Sequence, residues 1–518
     1  MADSASIIFH GAAGTVTGSC FEISGAGKTI LLDCGLFQGT RSLEHLNFEK
    51  LPFDPAKIDA IILTHAHLDH SGRLPCLYAR GCKAPTYCTA PTADILKPLL
   101  LDSAKLQAAS AERRNRRADR AGLPPFTPLY TGPDVTELMK NIATAAYCEQ
   151  VDLGNGVTFR FWNARHIMGS ASVEINIAGQ RLLISGDIGS GSAIHCTDQE
   201  LGGYDHIVCE ATYGARDRPD TLISERREAL AGYVETTLKA GGNLLIPAFA
   251  VERTQVILED MLALFDAGRL PLVNVFLDAP LAEKVTRAVL KYRDNGAELL
   301  KRPNIRFIQS VAESKQLNKM TGAVIIAGSG MCEGGRIRHH LMRNLPRRQS
   351  RVLFTGFQVA GTLGNVLTGG TKQVRMSGHD VIVNADIAIL DGYSNHADRK
   401  DLTQWIADRT PITGSIFLVH GEKNGLETLA SDLAAAPQSH EPIIPKLGEK
   451  WGLQPHKKAR LQAPARSDAE QLVAPRDWTS RLAALRSTMQ QKARALPSDQ
   501  DREKMLKALE RALESFPH

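Results

Sequence analysis

The sequence predicts an α/β fold in which a second domain is inserted into the first. Short apolar runs at residues 6–9, 19–23 and 29–33 are separated by glycine-rich turns and interrupted by no helix, as in neighbouring strands of one sheet. Between residues 210 and 385, apolar strands alternate with helical patterns, which is typical of a mostly parallel sheet with flanking helices. The chain then returns to hydrophobic strands that are followed by histidines.

Length and composition indicate a globular protein of several domains. The chain has 518 residues, of which 43% are hydrophobic and 23% charged, and this length suggests about two to four domains. No apolar stretch approaches the length of a membrane span, and the N-terminus lacks a basic region followed by an apolar core. We therefore expect a cytoplasmic protein with no membrane partner. The net charge of +5 permits a polyanionic partner without demonstrating one.

A histidine-rich loop follows the apolar run 58–63, which predicts a buried strand that delivers side chains into the loop. Within six positions the loop carries His65, His67, Asp69 and His70. Imidazole and carboxylate groups are ligands that zinc prefers. His65 and His67 alternate and can bind one ion, while Asp69 and His70 face a second position. One such residue alone could be an ordinary solvated or buried side chain, but the set predicts two adjacent metal sites.

Three further candidates, His166, Asp187 and Asp33, each follow a hydrophobic strand. Individually they are ordinary residues for the end of a strand. A carboxylate such as Asp187 can bridge two cations about 3.5–4 Å apart, because each oxygen binds one ion. Asp33 is either a turn residue or a hydrogen-bond acceptor that orients the metal loop.

The loop together with His166 and Asp187 resembles the metallo-β-lactamase superfamily. This resemblance implies an αββα sandwich with a dinuclear zinc site at one edge of two facing sheets. His67 stands where iron-binding electron-transfer relatives typically have a carboxylate, which favours zinc.

Glu210, His396 and His420 resemble the three extra motifs of the β-CASP group, the nucleic-acid-processing nucleases of that superfamily. The resemblance covers about residues 6–455. Segment 393–398 is closer to bacterial ribonucleases related to the endonuclease subunit of the cleavage and polyadenylation factor than to the RNase J exonucleases. The DNA-repair branch usually has an apolar residue where this chain has His420.

The resemblance implies two Zn²⁺ per chain and assigns a role to each site residue. One ion would be held by His65, His67 and His166, the other by Asp69, His70 and His420, with Asp187 as the bridge. His396 would protonate the departing oxygen, oriented by Glu210, and Asp69 is counted with them as catalytic. The implied reaction is hydrolysis of single-stranded RNA by metal-activated hydroxide, with an endonucleolytic mode expected.

The expected substrate contacts lie in the inserted domain. A strand runs into the glycine-rich turn 328–335, whose backbone N–H groups can face an anion. A plain tight turn is the alternative. We predict that Ser329, Gly330 and Arg336 contact the RNA backbone. Arg253 is a further candidate, although Val-Glu stands before it where relatives commonly have Leu-Gly, and Glu252 would oppose phosphate binding locally.

The expected domains are 1–209 and 386–455 for the two parts of the metallo-β-lactamase domain, 210–385 for the β-CASP domain, and 456–518 for a linker and helical tail. Leu482, Leu485 and Met489 share one helical face of the tail, as do Leu506 and Leu509. The tail is expected to contact the body or a second subunit, so a homodimer and RNA-processing partners stay open.

Other classes of function remain. A DNA-acting β-CASP nuclease is the main alternative within nucleases. A non-catalytic RNA-binding subunit of a processing complex would keep the fold but lose metal ligands. All seven proposed ligand residues are present here. A small-molecule hydrolase would lack the inserted domain.

Overall fold

The fold is described from a computed structural model of the chain. It describes residues 4–118, 125–190, 202–218, 222–293, 296–299, 301–356, 358–359, 361–435, 441–473, 485, 489, 492–493 and 496–514.

The strands are β1 (Ala5–Phe9), β2 (Phe21–Gly25), β3 (Lys28–Leu32), β4 (Ala60–Ile62), β5 (Thr86–Cys88), β6 (Ile142–Thr144), β7 (Gln150–Gly154), β8 (Val157–Asn163), β9 (Ala171–Ile177), β10 (Gln180–Ile184), β11 (His206–Glu210), β12 (Leu244–Pro247), β13 (Asn274–Leu277), β14 (Ile305–Phe307), β15 (Ala323–Ala327), β16 (Arg351–Phe354), β17 (Gln373–Met376), β18 (His379–Ile382), β19 (Asp386–Ile389), β20 (Ile416–Val419), β21 (Lys450–Gln454) and β22 (Lys457–Ala463).

The helices are α1 (Arg41–His45), α2 (Leu68–Ser71), α3 (Leu74–Ala79), α4 (Ala90–Ala118), α5 (Gly132–Lys140), α6 (Ile223–Lys239), α7 (Arg253–Asp266), α8 (Pro280–Leu290), α9 (Gly296–Leu299), α10 (Val311–Gln316), α11 (Ile337–Asn344), α12 (Leu363–Thr368), α13 (Arg399–Ala407), α14 (Lys423–Ala435), α15 (Ala469–Val473) and α16 (Asp499–Glu514). None of these helices is long and apolar enough to cross a membrane.

Two sheets form a sandwich. The first has the order β22-β21-β1-β2-β3-β4-β5-β6 and the second β20-β11-β10-β9-β8-β7. Side chains alternate along a strand, so each sheet has two faces, and here both faces are apolar and covered. The inner faces meet in one core that includes Ile7, Ile62 and Phe159. Helices α3 to α5 cover the outer face of the first sheet, and α13 and α14 cover that of the second, so the predicted αββα layering is confirmed.

The third sheet is parallel throughout, with the order β14-β13-β15-β12-β16-β19. Helices cover both faces: Met261 of α7 contributes to the core on one side and Leu341 of α11 to the core on the other. This is the mostly parallel sheet with flanking helices that alternating strands and helices predict. Lys291, just after α8, reaches Asp94 of α4 at 3.1 Å and so ties this unit to the sandwich.

Two segments differ from the sequence-based boundaries. Strand β19, expected to belong to the returning part of the first domain, pairs in parallel with β16 and forms an edge of the third sheet. Residues after 455, expected to be a linker, form strand β22, which pairs with β21, and helix α15 with Leu472 in the sandwich core. The Pro- and Ala-rich composition suggested a linker, but the alternating side chains of an edge strand bury only one face and give a weak pattern.

In the C-terminal tail, α16 begins after Ser498, whose Oγ accepts the N–H of Asp501 at 3.2 Å, as an N-cap does. Of the other predicted helix, Leu485 and Met489 are described and helical, whereas Leu482 lies outside the described residues.

Candidate metal centre

The predicted ligands converge on one edge of the sandwich. The loop after β4 carries His65 to His70, and the loops after β8, β10 and β20 carry His166, Asp187 and His420. Strands β3 and β4 are parallel, as are β10, β11 and β20, so their carboxyl ends meet at the same edge.

The first group of ligands is His65, His67, His166 and Asp187, whose ligand atoms all lie within 4.8 Å of one another. Nδ1 of His67 lies 3.1 Å from Nε2 of His65 and 3.2 Å from Nε2 of His166. Asp187 Oδ2 lies 3.6 Å from Nε2 of both His65 and His166. Three ring nitrogens and one carboxylate oxygen thus surround a single position, as in a four-coordinate site.

The second group is Asp69, His70 and His420, which also gather within 4.8 Å. The other oxygen of Asp187, Oδ1, lies 3.2 Å from His70 Nε2 and 3.6 Å from His420 Nδ1. His420 Nε2 lies 3.7 Å from Asp69 Oδ2. Asp187 therefore stands between the two groups with one oxygen toward each.

Three atoms that face one another at the second group are shielded from solvent and have no hydrogen-bond partner among the described residues: His70 Nε2, His420 Nε2 and Oδ1 of the neighbouring Asp187. Leaving such atoms unpaired is costly, and most buried polar atoms in proteins are paired. Lone pairs of two imidazoles and a carboxylate that face one another fit a cation between them.

Asp33 orients two rings of the metal loop. Its Oδ2 accepts from His70 Nδ1 at 2.7 Å, which leaves Nε2 of that ring free to bind. The same oxygen accepts the hydroxyl of Thr64 at 3.0 Å, and Thr64 Oγ1 lies 3.1 Å from His65 Nδ1. Thr64 was missed in the sequence, although its position between the strand and the first histidine was a signal that could have been used.

Two other rings are oriented from distant parts of the chain. His166 Nδ1 lies 3.2 Å from the carbonyl oxygen of Asn395, and Asn395 Nδ2 donates to the carbonyl of His166 at 3.0 Å. Thr212 Oγ1 lies 3.0 Å from His420 Nδ1. Neither Asn395 nor Thr212 was recognised in the sequence. The available signal was that Asn395 adjoins His396 and that Thr212 lies two residues after Glu210. Hydrogen bonds of this kind hold a ligating imidazole in one tautomer and orientation.

The electrostatics favour the ligating forms of several residues. Burial, assisted by neighbouring imidazoles, lowers the pKa of His65 and of His166, so these rings are neutral. Burial opposes ionisation of Asp69, but the nearby imidazoles of His420 and His70 lower its pKa to about 2. The pKa of Asp187 is likewise held well below its usual value by His420 and His70 despite burial.

His70 and His420 differ from the other rings. Burial disfavours their charged forms, but the carboxylate of Asp187 and a second carboxylate raise both pKa values. A cation bound at the second group would displace these protons, since metal ligands must be deprotonated.

His396 lies beside the first group but is not one of its ligand residues. Its ring centroid is 4.4 Å from that of His166, and its Nδ1 is 3.4 Å from Glu210 Oε1. Burial disfavours the charged ring, but the Glu210 carboxylate outweighs it and raises the pKa of His396 to about 10. His396 therefore carries a proton at neutral pH.

Arg218 holds the loop that carries His396. Its guanidinium donates to the carbonyl of Ser394 at 3.0 Å and to the carbonyl of His396, and its backbone N–H donates to Asp398 at 2.9 Å. The sequence gave no sign of this contact, because 176 to 180 residues separate the partners.

The predicted substrate contacts occupy the carboxyl edge of the third sheet. Ser329 Oγ accepts the N–H of Gly334 at 3.2 Å, which closes the glycine-rich turn, and Gly330 lies against the ring of Phe249. Arg253 donates to the carbonyl of Thr355 at the end of β16. These contacts hold the loops together, and RNA contacts by Ser329, Gly330 and Arg253 stay predictions.

Arg336 is bound within the protein. Its guanidinium donates to Asp278 at 2.6 Å and to the carbonyl oxygens of Ile308 and Gln309 at 3.0 and 2.9 Å. Asp278 is buried and also accepts from His340. Arg336 therefore links neighbouring segments of the inserted domain, which the sequence did not indicate. Its contact with RNA stays a prediction.

Three family profiles match the chain in succession. The metallo-beta-lactamase superfamily matches residues 13–141, the Beta-Casp domain matches residues 254–367, and the Zn-dependent metallo-hydrolase RNA specificity domain matches residues 380–445.

Proteins with curated names show similarity over most of the chain. The ribonuclease TTHA0252 of Thermus thermophilus is 34% identical over 457 residues, which cover 86% of this chain and 99% of that protein. The RNase J-like protein of Methanocaldococcus jannaschii is 28% identical and covers 80% of this chain and 92% of its own length. The transcription termination factor FttA of Cenarchaeum symbiosum is 29% identical over 81% of this chain and 66% of its own length.

A solved structure has the same fold. A protein of unknown function from Enterococcus faecalis aligns with a TM-score of 0.53 and 14% identity over 87% of this chain and all of that one.

Proposed function

This chain belongs to the β-CASP group of metal-dependent RNA-processing nucleases in the metallo-β-lactamase superfamily, and on that premise we propose that it cleaves single-stranded RNA with two zinc ions. The metal-dependent ribonuclease activity follows from the family. The choice of zinc, the number of ions, the role of each residue and the endonucleolytic mode are our proposals.

The donor set fits two zinc ions. We propose that His65, His67 and His166 hold one ion and that Asp69, His70 and His420 hold the other. Asp187 would offer one oxygen to each ion, which is supported by distances of 3.2 to 3.6 Å from its oxygens to ring nitrogens on both sides. Nitrogen-rich ligands with few carboxylates favour zinc over magnesium or calcium.

Bound zinc supplies Lewis acidity, which makes hydroxide available near neutral pH and offsets charge on the attacked phosphate. The chain's own residues fix the ligands. Asp33 holds His70, and through Thr64 also His65, in the orientation that turns their Nε2 atoms inward. This preorganisation saves the site a rearrangement when substrate binds.

His396 is the proposed general acid. It is protonated at neutral pH, lies at the rim of the first ligand group and is oriented by Glu210. Loss of a phosphodiester oxygen leaves an alkoxide that needs a proton, and a positioned imidazolium supplies it. Arg218 donates hydrogen bonds to the backbone of this loop and thereby limits movement of the His396 ring.

RNA would lie between the metal centre and the carboxyl edge of the third sheet. In open parallel sheets ligands bind at the carboxyl ends of the strands. Loops after β12, β15 and β16 carry Arg253, Ser329 and Gly356, and the loop after β19 leads to His396. A homodimer and partners among RNA-processing proteins stay predictions.

The observation that carries this proposal is the pair of ligand groups sharing Asp187, with a protonated His396 beside them. Its test uses end-labelled single-stranded RNA and DNA of one sequence, and a circular RNA, each with and without chelator. We expect chelator-sensitive cleavage of RNA and linearisation of the circle. Cleavage of DNA alone would identify a DNA nuclease, and RNA binding without cleavage a non-catalytic subunit; the similarities favour neither alternative. An intact circle beside a degraded linear RNA would contradict the endonucleolytic mode.

A further inference from the structure

The loop after β12 lies in the proposed RNA path. Strand β12 pairs with β15 and β16, and Ala248 N–H donates to the carbonyl of Ala327 at 3.1 Å, so this loop stands beside the turn that carries Ser329. The ring of Phe249 packs on Gly330 of that turn. The loop also lies near His396, whose charge interacts with the carboxyl group of Glu252.

Glu252 occupies an unusual backbone conformation in this loop. Its φ is 71° and ψ is −62°, and the N–H of Arg253 donates to the carbonyl of Val251 at 2.9 Å. These values describe a γ-turn with positive φ, a rare and strained form for a residue with a side chain. Such strain persists where the surroundings impose it, and it clusters at functional sites.

The surroundings of the turn do impose it. Val251 is buried, and Thr254 Oγ1 donates to the carbonyl of Phe249 at 2.7 Å, which fixes the start of α7. Arg253 donates to the carbonyl of Thr355, and its guanidinium fills the space beside Gly356. Glycine would satisfy the same turn without strain, so the turn itself does not require a carboxylate here.

The side chains at the turn are incompletely paired. Glu252 Oε1 and Arg253 Nε are both shielded from solvent and have no hydrogen-bond partner within the part of the chain that the structure describes. An acceptor and a donor are thus held at adjacent positions without protein partners. Most buried polar groups in proteins are paired, so these two atoms are candidates for contact with a ligand.

The charges around these groups indicate what each would meet. Burial raises the pKa of Glu252 to about 8 against the opposing positive charges of Arg253 and His396. Arg253 also interacts with Tyr213 and Arg218 around the His396 loop. The guanidinium groups of Arg253 and Arg218 can form charge-assisted hydrogen bonds with phosphate. A carboxyl group that keeps its proton both donates and accepts, which suits a hydroxyl group of the substrate.

We propose that the Glu252 carboxyl group hydrogen-bonds the 2′-hydroxyl of the ribose beside the cleaved bond and thereby selects RNA over DNA. The 2′-hydroxyl is the group that distinguishes RNA from DNA, and it both donates and accepts. It lies on the carbon next to the 3′-oxygen, so when His396 protonates a leaving 3′-oxygen, a residue near His396 can contact the 2′-hydroxyl. This inference rests on the proposed ribonuclease function.

The test measures single-turnover cleavage of one RNA and of copies with a single 2′-deoxynucleotide on either side of the cleavage site. For the wild-type protein we expect one deoxy position to slow cleavage roughly 5- to 100-fold, the effect of one buried hydrogen bond. Glu252→Gly should cleave the all-ribose RNA more slowly and bring this ratio close to one. Glu252→Gln, which keeps the hydrogen-bonding shape, should retain part of the ratio.

Controls separate this effect from damage to the fold. Glu259→Gln, two turns further along α7, changes a carboxylate that pairs with Arg293 at 3.0 Å and should leave the ratio unchanged. Glu252→Gly should keep its zinc content and melt no lower than the wild type, because glycine tolerates positive φ.

An unchanged ratio in Glu252→Gly, or a change in base preference without a change in the ratio, would overturn the inference while leaving the ribonuclease function intact. A wild-type protein that cleaves no RNA would overturn both.

Discussion

Glu210 Oε1 lies 3.4 Å from His396 Nδ1 and also accepts the backbone N–H of Ile188 at 2.6 Å. Ile188 directly follows Asp187, which stands between the two ligand groups. One carboxylate oxygen therefore connects the proposed general acid to the loop of the proposed bridging ligand. A displacement of Glu210 would disturb both, whereas a change of His396 alone should affect only proton donation.

Replacing His396 with alanine should slow cleavage by about 10²–10⁴-fold, the usual contribution of a general acid. No proposed ligand is removed, so zinc content and RNA affinity should stay close to those of the wild type. Glu210→Gln should give a milder loss, because it keeps a hydrogen-bond acceptor but removes the charge that favours the protonated ring. Single-turnover rates with elemental analysis decide the point: an unchanged rate, or a loss explained by missing metal, would rule out the general-acid role.

Asp187→Ala should lose metal and activity together. The wild-type protein should purify with about two zinc ions per chain, since two ligand groups are filled. Removing the shared carboxylate leaves each group one ligand short and removes the negative charge between them. Elemental analysis and cleavage rate are the measurements. A variant that retains both ions and turns over normally would show that Asp187 is structural, and a wild type with one equivalent or mostly iron would refute the two-zinc assignment.

Asp33→Asn should weaken zinc binding by about 10–100-fold without unfolding the protein, the effect typical of losing a group that orients a metal ligand. The amide keeps the size of the side chain but offers a weaker acceptor to His70 and Thr64. Competition with a chromophoric chelator measures the affinity, and Asp59→Asn, near the surface in the same unit, serves as the control. Equal zinc affinity in both variants would show that Asp33 does not act on the metal.

Stability should depend on pH through Glu252. Burial raises its pKa from about 4.5 to about 8, so between these values the folded protein holds a proton that the unfolded chain releases. The stabilisation is complete below pH 4.5 and is lost as pH rises through 8. Glu252→Gln cannot ionise, so the melting temperature of the wild type should fall relative to that of the variant between pH 5 and 9. Parallel curves for the two proteins would mean that the carboxyl group titrates normally.

Two truncations should behave differently. Deleting residues 474–518 keeps β22 and α15 and should leave the melting temperature and the cleavage of a short RNA nearly unchanged. Deleting residues 455–518 removes the partner of β21 and the buried Leu472, and the loss of one buried leucine alone costs about 2–5 kcal/mol. Thermal unfolding and activity compare the two, and equal stability would show that the edge strand contributes little.

Local patterns were sufficient for the elements and for most of the candidate ligands. The strand predicted before the glycine-rich turn is Ala323–Ala327, and the strand-then-loop pattern identified His65 to His70, because side-chain periodicity is set within a few residues. The family resemblance then indicated which distant histidines belong to the same centre.

Only the tertiary structure decided which distant residues are hydrogen-bond partners and where the backbone is strained. Asp33 meets His70 across 37 residues, and Thr212 meets His420 across 208. Neither spacing carries a local signal. The γ-turn at Glu252 depends on the fixed start of α7 and on β16, and β22 became a strand only because β21 offered it an open edge. Periodicity reports which face of a segment is apolar, whereas the choice of what covers that face, and the backbone strain it imposes, depend on packing between segments far apart in the chain.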